Sequence, residues 1–128
     1  MKYLLDTHTL LWAVDAPEKL SAQAMEIVCG HDSQVFLSIA TPWELAIKAN
    51  RGRLDVEELL NDFERAVLSA GYEILETTVP QVIRAGMLPL HHRDPFDRLL
   101  IAQSLDCQIP IVSCDGVFDL YDVRRIWN

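Results

Sequence analysis

The chain has 128 residues, half of them hydrophobic and 23% charged, which suits one folded unit over residues 1–128 and excludes a disordered chain. No apolar run approaches the ~20 residues of a membrane span, and a charge interrupts the N-terminal run too early for a signal peptide. A net charge of −8 counts against nucleic-acid binding unless a metal or local basic patches overcome the repulsion.

In chain order, Tyr3–Leu5 reads as a first strand, followed directly by Asp6. Ser21 opens a helix that buries Ala24, Ile27 and Val28 and stops at Gly30. Val35–Ile39 is a second strand, and Thr41-Pro42-Trp43-Glu44 opens a helix ending around Asn50-Arg51-Gly52. Asp55 opens a third helix with Val56, Leu59, Leu60, Phe63 and Val67 on one face and Gly71 as its stop. Tyr72–Leu75 is a strand, and a shorter helix lies around Pro80 to Gly86. Asp94-Pro95-Phe96-Asp97 opens the last helix, with strands at Ile109–Ser113 and Val123–Trp127 after it. Strands apolar on both faces, alternating with helices, define a three-layer α/β/α sandwich around a mostly parallel sheet. Cys29, Cys107 and Cys114 form an odd set without metal-ligand spacing and read as buried thiols of a cytoplasmic protein.

Four acids share one place in this arrangement. Asp6 and Asp115 directly follow strands, while Glu44 and Asp97 occupy first turns of helices that begin at the same sheet end. All four thus fall at the carboxyl edge of the sheet, where open α/β sheets bind ligands. Carboxylates without a paired His or Cys suit hard cations with oxygen ligands, Mg²⁺ above all. Such an ion also answers the charge problem, since it reverses the local potential that a phosphate meets. Lys48, Arg51, Arg53, Arg93 and Arg98 are candidate substrate-binding cations around these acids.

Each acid also has a plainer reading. Glu44 and Asp97 sit where an acid completes a capping box. Asp6 would start a turn or cap a helix after the first strand, Asp115-Gly116 is a turn signal, and Asp94 is an N-cap with a supporting role possible. His91 and His92 read as a loop near solvent or substrate, since adjacent histidines do not face one another. His8 has no partner at ligand spacing, and Trp12, Trp43 and Trp127 read as core or subunit-contact residues.

The motifs Tyr3-Leu4-Leu5-Asp6-Thr7-His8, Leu37 through Lys48, Asp94-Pro95-Phe96-Asp97-Arg98 through Gln103, and Val112-Ser113-Cys114-Asp115 keep the order seen in one family. The chain resembles the PIN-domain nucleases, and within them the toxins of VapBC-type toxin–antitoxin pairs. The resemblance implies a five-stranded parallel sheet and endoribonuclease activity dependent on Mg²⁺ or Mn²⁺. It assigns metal binding and catalysis to Asp6, Glu44, Asp97 and Asp115, with Thr7 in support. It further implies a homodimer and a small antitoxin covering the acidic cleft. His8 departs from the family, where many members carry Asn. Two other classes compete: a phosphatase of the haloacid-dehalogenase type built on Asp6, and a non-catalytic module of degenerate PIN or receiver type. The first wants a second acid two residues after Asp6, and His8 is followed by Thr9. The receiver wants an acceptor Asp after the third strand, and Glu73–Thr77 offers none.

Overall fold

The computed structural model describes residues 1–128. Five strands, β1 (Lys2–Leu5), β2 (Gln34–Ser38), β3 (Glu73–Leu75), β4 (Ile111–Val112) and β5 (Arg125–Ile126), form one sheet in the order β3-β2-β1-β4-β5. Every pairing is parallel, with Leu4 opposite both Phe36 and Ile111. The sandwich and the five-stranded parallel sheet are therefore as expected.

Leu4 and Leu5 show why β1 lies at the centre. Both are fully buried, but they face opposite layers. Leu5 joins Leu10, Ile27, Leu37, Leu45, Phe63 and Val112 on one side. Leu4 joins Leu100, Ile101, Ile111, Phe118 and Tyr121 on the other. Burying one such leucine contributes about 1.5–3 kcal/mol, so a polar residue at either position would be costly.

The helices are α1 (Thr7–Asp15), α2 (Ala22–Cys29), α3 (Ala40–Asn50), α4 (Glu57–Asn61), α5 (Phe63–Ser69), α6 (Val79–Met87) and α7 (Pro95–Cys107). Ser21 caps α2 as expected, accepting from the Ala24 amide at 3.1 Å. Three expectations need correction. The helix carrying Glu44 begins at Ala40, before Thr41, because the Ser38 hydroxyl takes the Ala40 amide at 3.1 Å. Pro42 is then its third residue, still within the turn whose amides lack helical partners. The helix expected from Asp55 divides into α4 and α5 at Asp62, whose backbone leaves the helical region (φ −146°, ψ 55°). The strands expected at Ile109–Ser113 and Val123–Trp127 pair formally over only two residues each. Ile109 gives its amide to Ser104 of α7, and Pro110 has no amide to give.

Gly71 ends α5 at φ +83°, the left-handed geometry that makes glycine a helix stop. All three cysteines are exposed free thiols, so the expectation of buried cysteines is also corrected. No helix is long and apolar enough to cross a membrane.

Candidate functional site

The carboxyl ends of β1 and β4 are neighbours, and the site grows from that adjacency. Asp6 leaves β1 almost fully buried and caps α1, its Oδ1 accepting from the Thr9 amide at 2.9 Å. Its Oδ2 accepts from the Ser113 hydroxyl at 2.6 Å, just beyond β4. The same Ser113 oxygen accepts the Asp115 amide at 3.0 Å, and Asp115 Oδ1 accepts from the Val117 amide at 3.0 Å. The capping reading of Asp6 and the turn reading of Asp115 are thus realised. Each cap turns the carboxylate at a strand end toward the edge of the sheet.

Glu44 approaches from α3, beyond β2. Its position in the second turn removes the capping-box reading. Thr7 donates its hydroxyl to Glu44 Oε1 at 2.6 Å, and Lys48 donates to Oε2 at 2.7 Å one turn along the helix. Asp97 comes from the first turn of α7. Asp94 caps that helix through Oδ1, which accepts the Phe96 amide at 2.8 Å and, more loosely, the Asp97 amide at 3.4 Å. Asp97 Oδ2 lies 2.9 Å from His92 Nε2, and Asp115 Oδ2 lies 3.9 Å from the same nitrogen. Donor atoms of His92, Asp97 and Asp115 all fall within 4.8 Å of one another.

The electrostatics identify the strained partner. Asp97 is held far above the ordinary carboxylate range, at about 8. Burial is the main cause, and the charges of Asp94, Asp6, Glu44 and Asp115 add to it. Burial also pushes Asp6 upward, against the hydrogen bonds from Ser113 and Thr9 that favour its charged form. Four carboxylates therefore act on one another, and Lys48 is the only Lys or Arg in ion-pair contact with any of them. This donor set fits a divalent cation with oxygen ligands: hard donors, excess negative charge, and an Asp97 that ionises readily only when positive charge arrives.

The predicted cations behave differently from one another. Lys48 is engaged by Glu44. Arg51, Arg53 and Arg93 are exposed, none of them in an ion pair. Arg98 is not a substrate-facing cation. It is buried, and its guanidinium donates to the carbonyls of Gly86, Leu88, Pro89 and His92 at 2.7–3.3 Å. It fastens the loop before α7 to the helix.

His92, read from sequence as loop, is mostly buried against the site, whereas His91 points away onto Tyr121. His8 is exposed and packs near Trp12. Ser113 was also missed, although its place between a strand end and Asp115 was a usable signal. Trp43 is exposed rather than core and meets Phe96 edge-on at 5.1 Å. It borders an apolar cleft of about 550 Å³ with Ile39, Val82, Ala85 and Leu99.

Residues 3–124 match the family model of the PIN domain, and the chain belongs to the PIN domain family. No curated protein matches the chain significantly. Among solved structures, it is similar to a chain in VapBC2 from Rickettsia felis bound to a DNA fragment from their promoter. That match has TM-score 0.69 and 14% identity over 100% of both chains. A chain of FitAB bound to an IR36 DNA fragment aligns with TM-score 0.66 and 18% identity, over 97% of this chain and 93% of that one. A chain of VapBC-1 from nontypeable Haemophilus influenzae gives TM-score 0.64 and 17% identity, over 98% and 97%. At these identities the likeness is one of fold.

Proposed function

We propose that the chain is a single-domain endoribonuclease dependent on Mg²⁺ or Mn²⁺, the toxin of a toxin–antitoxin pair acting in the cytoplasm. The observation that carries this reading is the meeting of Asp6, Glu44, Asp97 and Asp115 at one sheet edge within a PIN fold, with Asp97 pushed up to about 8 by burial and its neighbours. Asp97, Asp115 and Asp6 would hold the cation, and Glu44 would complete the set. When bound, a divalent cation supplies Lewis acidity and offsets the charge that phosphate and carboxylates otherwise set side by side.

The chain's own residues prepare this. Ser113 and Thr9 orient Asp6, Thr7 orients Glu44, and the Asp94 cap fixes the helix turn that presents Asp97. Arg51, Arg53 and Arg93 are free to meet the RNA backbone, which an acidic protein needs to do locally. Two of the similar solved structures are named VapBC2 and VapBC-1, which, with the resemblance to VapBC-type toxins, supports an antitoxin partner here. The exposed apolar surface around Trp43, Val82 and Ile83 supports a homodimer. Against a phosphatase nucleophile at Asp6, both its oxygens already accept hydrogen bonds.

The test is cleavage of a single-stranded RNA by purified protein, by EDTA-treated protein, and after Mg²⁺ or Mn²⁺ is restored. Cleavage should stop with EDTA and return with either ion. Undiminished cleavage by metal-stripped protein overturns the mechanism.

A further inference from the structure

His92 stands within the carboxylate group, and its two ring nitrogens have unlike surroundings. Nδ1 accepts the backbone amide of Asp94 at 3.2 Å, which occupies its lone pair. In the neutral ring the proton then belongs on Nε2. Nε2 is buried and makes no regular hydrogen bond; Asp97 Oδ2 lies close at 2.9 Å, but off the axis of the N–H.

Two roles compete for such a ring. A metal ligand would bind through the Nε2 lone pair and carry its proton on Nδ1. There the proton would confront the Asp94 N–H, donor against donor. Ligating histidines ordinarily give their other N–H to an acceptor, and Asp94 offers the reverse. The ring is also held in place. The His92 amide donates to Tyr121 Oη at 2.8 Å, its carbonyl accepts from Arg98 at 3.2 Å, and its ring lies against Phe118. Turning the ring would instead cost the hydrogen bond that Nδ1 accepts from the Asp94 amide.

What remains is a fixed, buried N–H that makes no regular hydrogen bond, its nearest acceptor Asp97 Oδ2 lying off its axis at 2.9 Å, at the edge of a site read as binding phosphate. Buried donors left unmade are destabilising, and an incoming oxygen relieves them. We propose that His92 is a substrate-binding residue whose Nε2–H donates to a non-bridging oxygen of the RNA phosphate, and that it is not a metal ligand. The inference deepens the proposed function and rests on RNA being the substrate.

The tautomer is read directly by two-bond ¹H–¹⁵N correlation on the labelled full-length protein at pH 8, with and without Mg²⁺. Expected is a protonated Nε2 and a bare Nδ1 in both states. A bare Nε2, or a proton moved to Nδ1 when Mg²⁺ is added, overturns the proposal. The second measurement is binding of a short single-stranded RNA in Ca²⁺, with the RNA checked intact afterwards. His92→Phe should weaken binding about tenfold, the worth of one hydrogen bond to a charged group. His92→Gln, which keeps a donor, should recover most of it. The Mg²⁺-induced rise in melting temperature should be unchanged in both variants. Equal RNA binding by His92→Phe and the natural protein sinks this inference alone. A natural protein that neither binds nor cuts RNA sinks the proposed function, whatever the tautomer shows.

Discussion

Ser113 donates its hydroxyl to Asp6 Oδ2 at 2.6 Å across 107 positions of chain. One oxygen atom thereby joins the ends of β1 and β4 and, through the Asp115 amide, sets the turn that carries a second acid. The bond is fully buried, so removing the hydroxyl leaves a desolvated carboxylate one partner short. Ser113→Ala should lose about 1–3 kcal/mol in urea unfolding and weaken Mg²⁺ binding. Ser113→Thr should keep most of both. A loss below about 0.5 kcal/mol would show that the link has little energetic weight.

The carboxylates were legible because the apolar period of β1 and β4 ends abruptly at a polar residue, and parallel topology then fixes the edge. Glu44 was legible as a candidate site residue but not in its local role. No sequence pattern says that the Ser38 hydroxyl will start α3 before Thr41. The break at Asp62 was hidden because Phe63 and Val67 continue the helical period through it. Arg98 misled for a chemical reason: an arginine beside Asp97 reads as a phosphate contact. Its spacing to buried Ile101 and Ala102 puts it on the core face of α7, which was the available clue. His92 was legible as a loop residue near solvent or substrate, but not in its burial against the acids. That burial goes with Arg98 holding the carbonyls of Leu88, Pro89 and His92 in the preceding loop and of Gly86 at the end of α6, a relationship no short window contains.

That loop gives the second prediction. Arg98→Met keeps apolar bulk but deprives the carbonyls of Gly86, Leu88, Pro89 and His92 of their common donor. Stability should fall by about 2–4 kcal/mol, with the loop from Gly86 to Asp94 losing amide-exchange protection first. An Arg98→Met protein of unchanged stability that binds RNA poorly would restore the substrate-contact reading.

Lys48 separates two effects that usually move together. Its ammonium sits 2.7 Å from Glu44 Oε2, but the side chain is one-third exposed, so the pair adds little to the fold. Lys48→Met should change stability by no more than about 0.5 kcal/mol. The freed Glu44 charge should lower the Mg²⁺ concentration needed for half-maximal cleavage, by about threefold. If Lys48 also meets RNA, KM for RNA should rise in the same variant. A higher Mg²⁺ requirement would mean that Lys48 holds Glu44 in place for the cation instead of competing with it.

The most demanding prediction concerns Asp97, whose carboxyl is raised from 3.8 to about 8 by burial first and by neighbouring carboxylates after it. The sign follows from linkage. The folded protein holds this proton more tightly than the unfolded chain, so the contribution to stability is complete below about pH 4. It is lost progressively as pH rises toward 8. Metal-free protein should therefore lose on the order of 2–3 kcal/mol across that interval, read from urea unfolding in EDTA. Asp97→Asn removes the titrating group while keeping its shape, so its curve should be flatter and its stability at pH 8 higher than the natural protein's. A cation at the site favours the charged carboxylate, and binding it near pH 7 must expel the proton. Calorimetry in buffers of different ionisation enthalpy should show release of about one proton per Mg²⁺. The Asn variant should bind Mg²⁺ weakly, release no proton and cut no RNA. Metal binding without proton release in the natural protein, together with an unchanged pH slope in Asp97→Asn, would remove Asp97 from the metal-binding set.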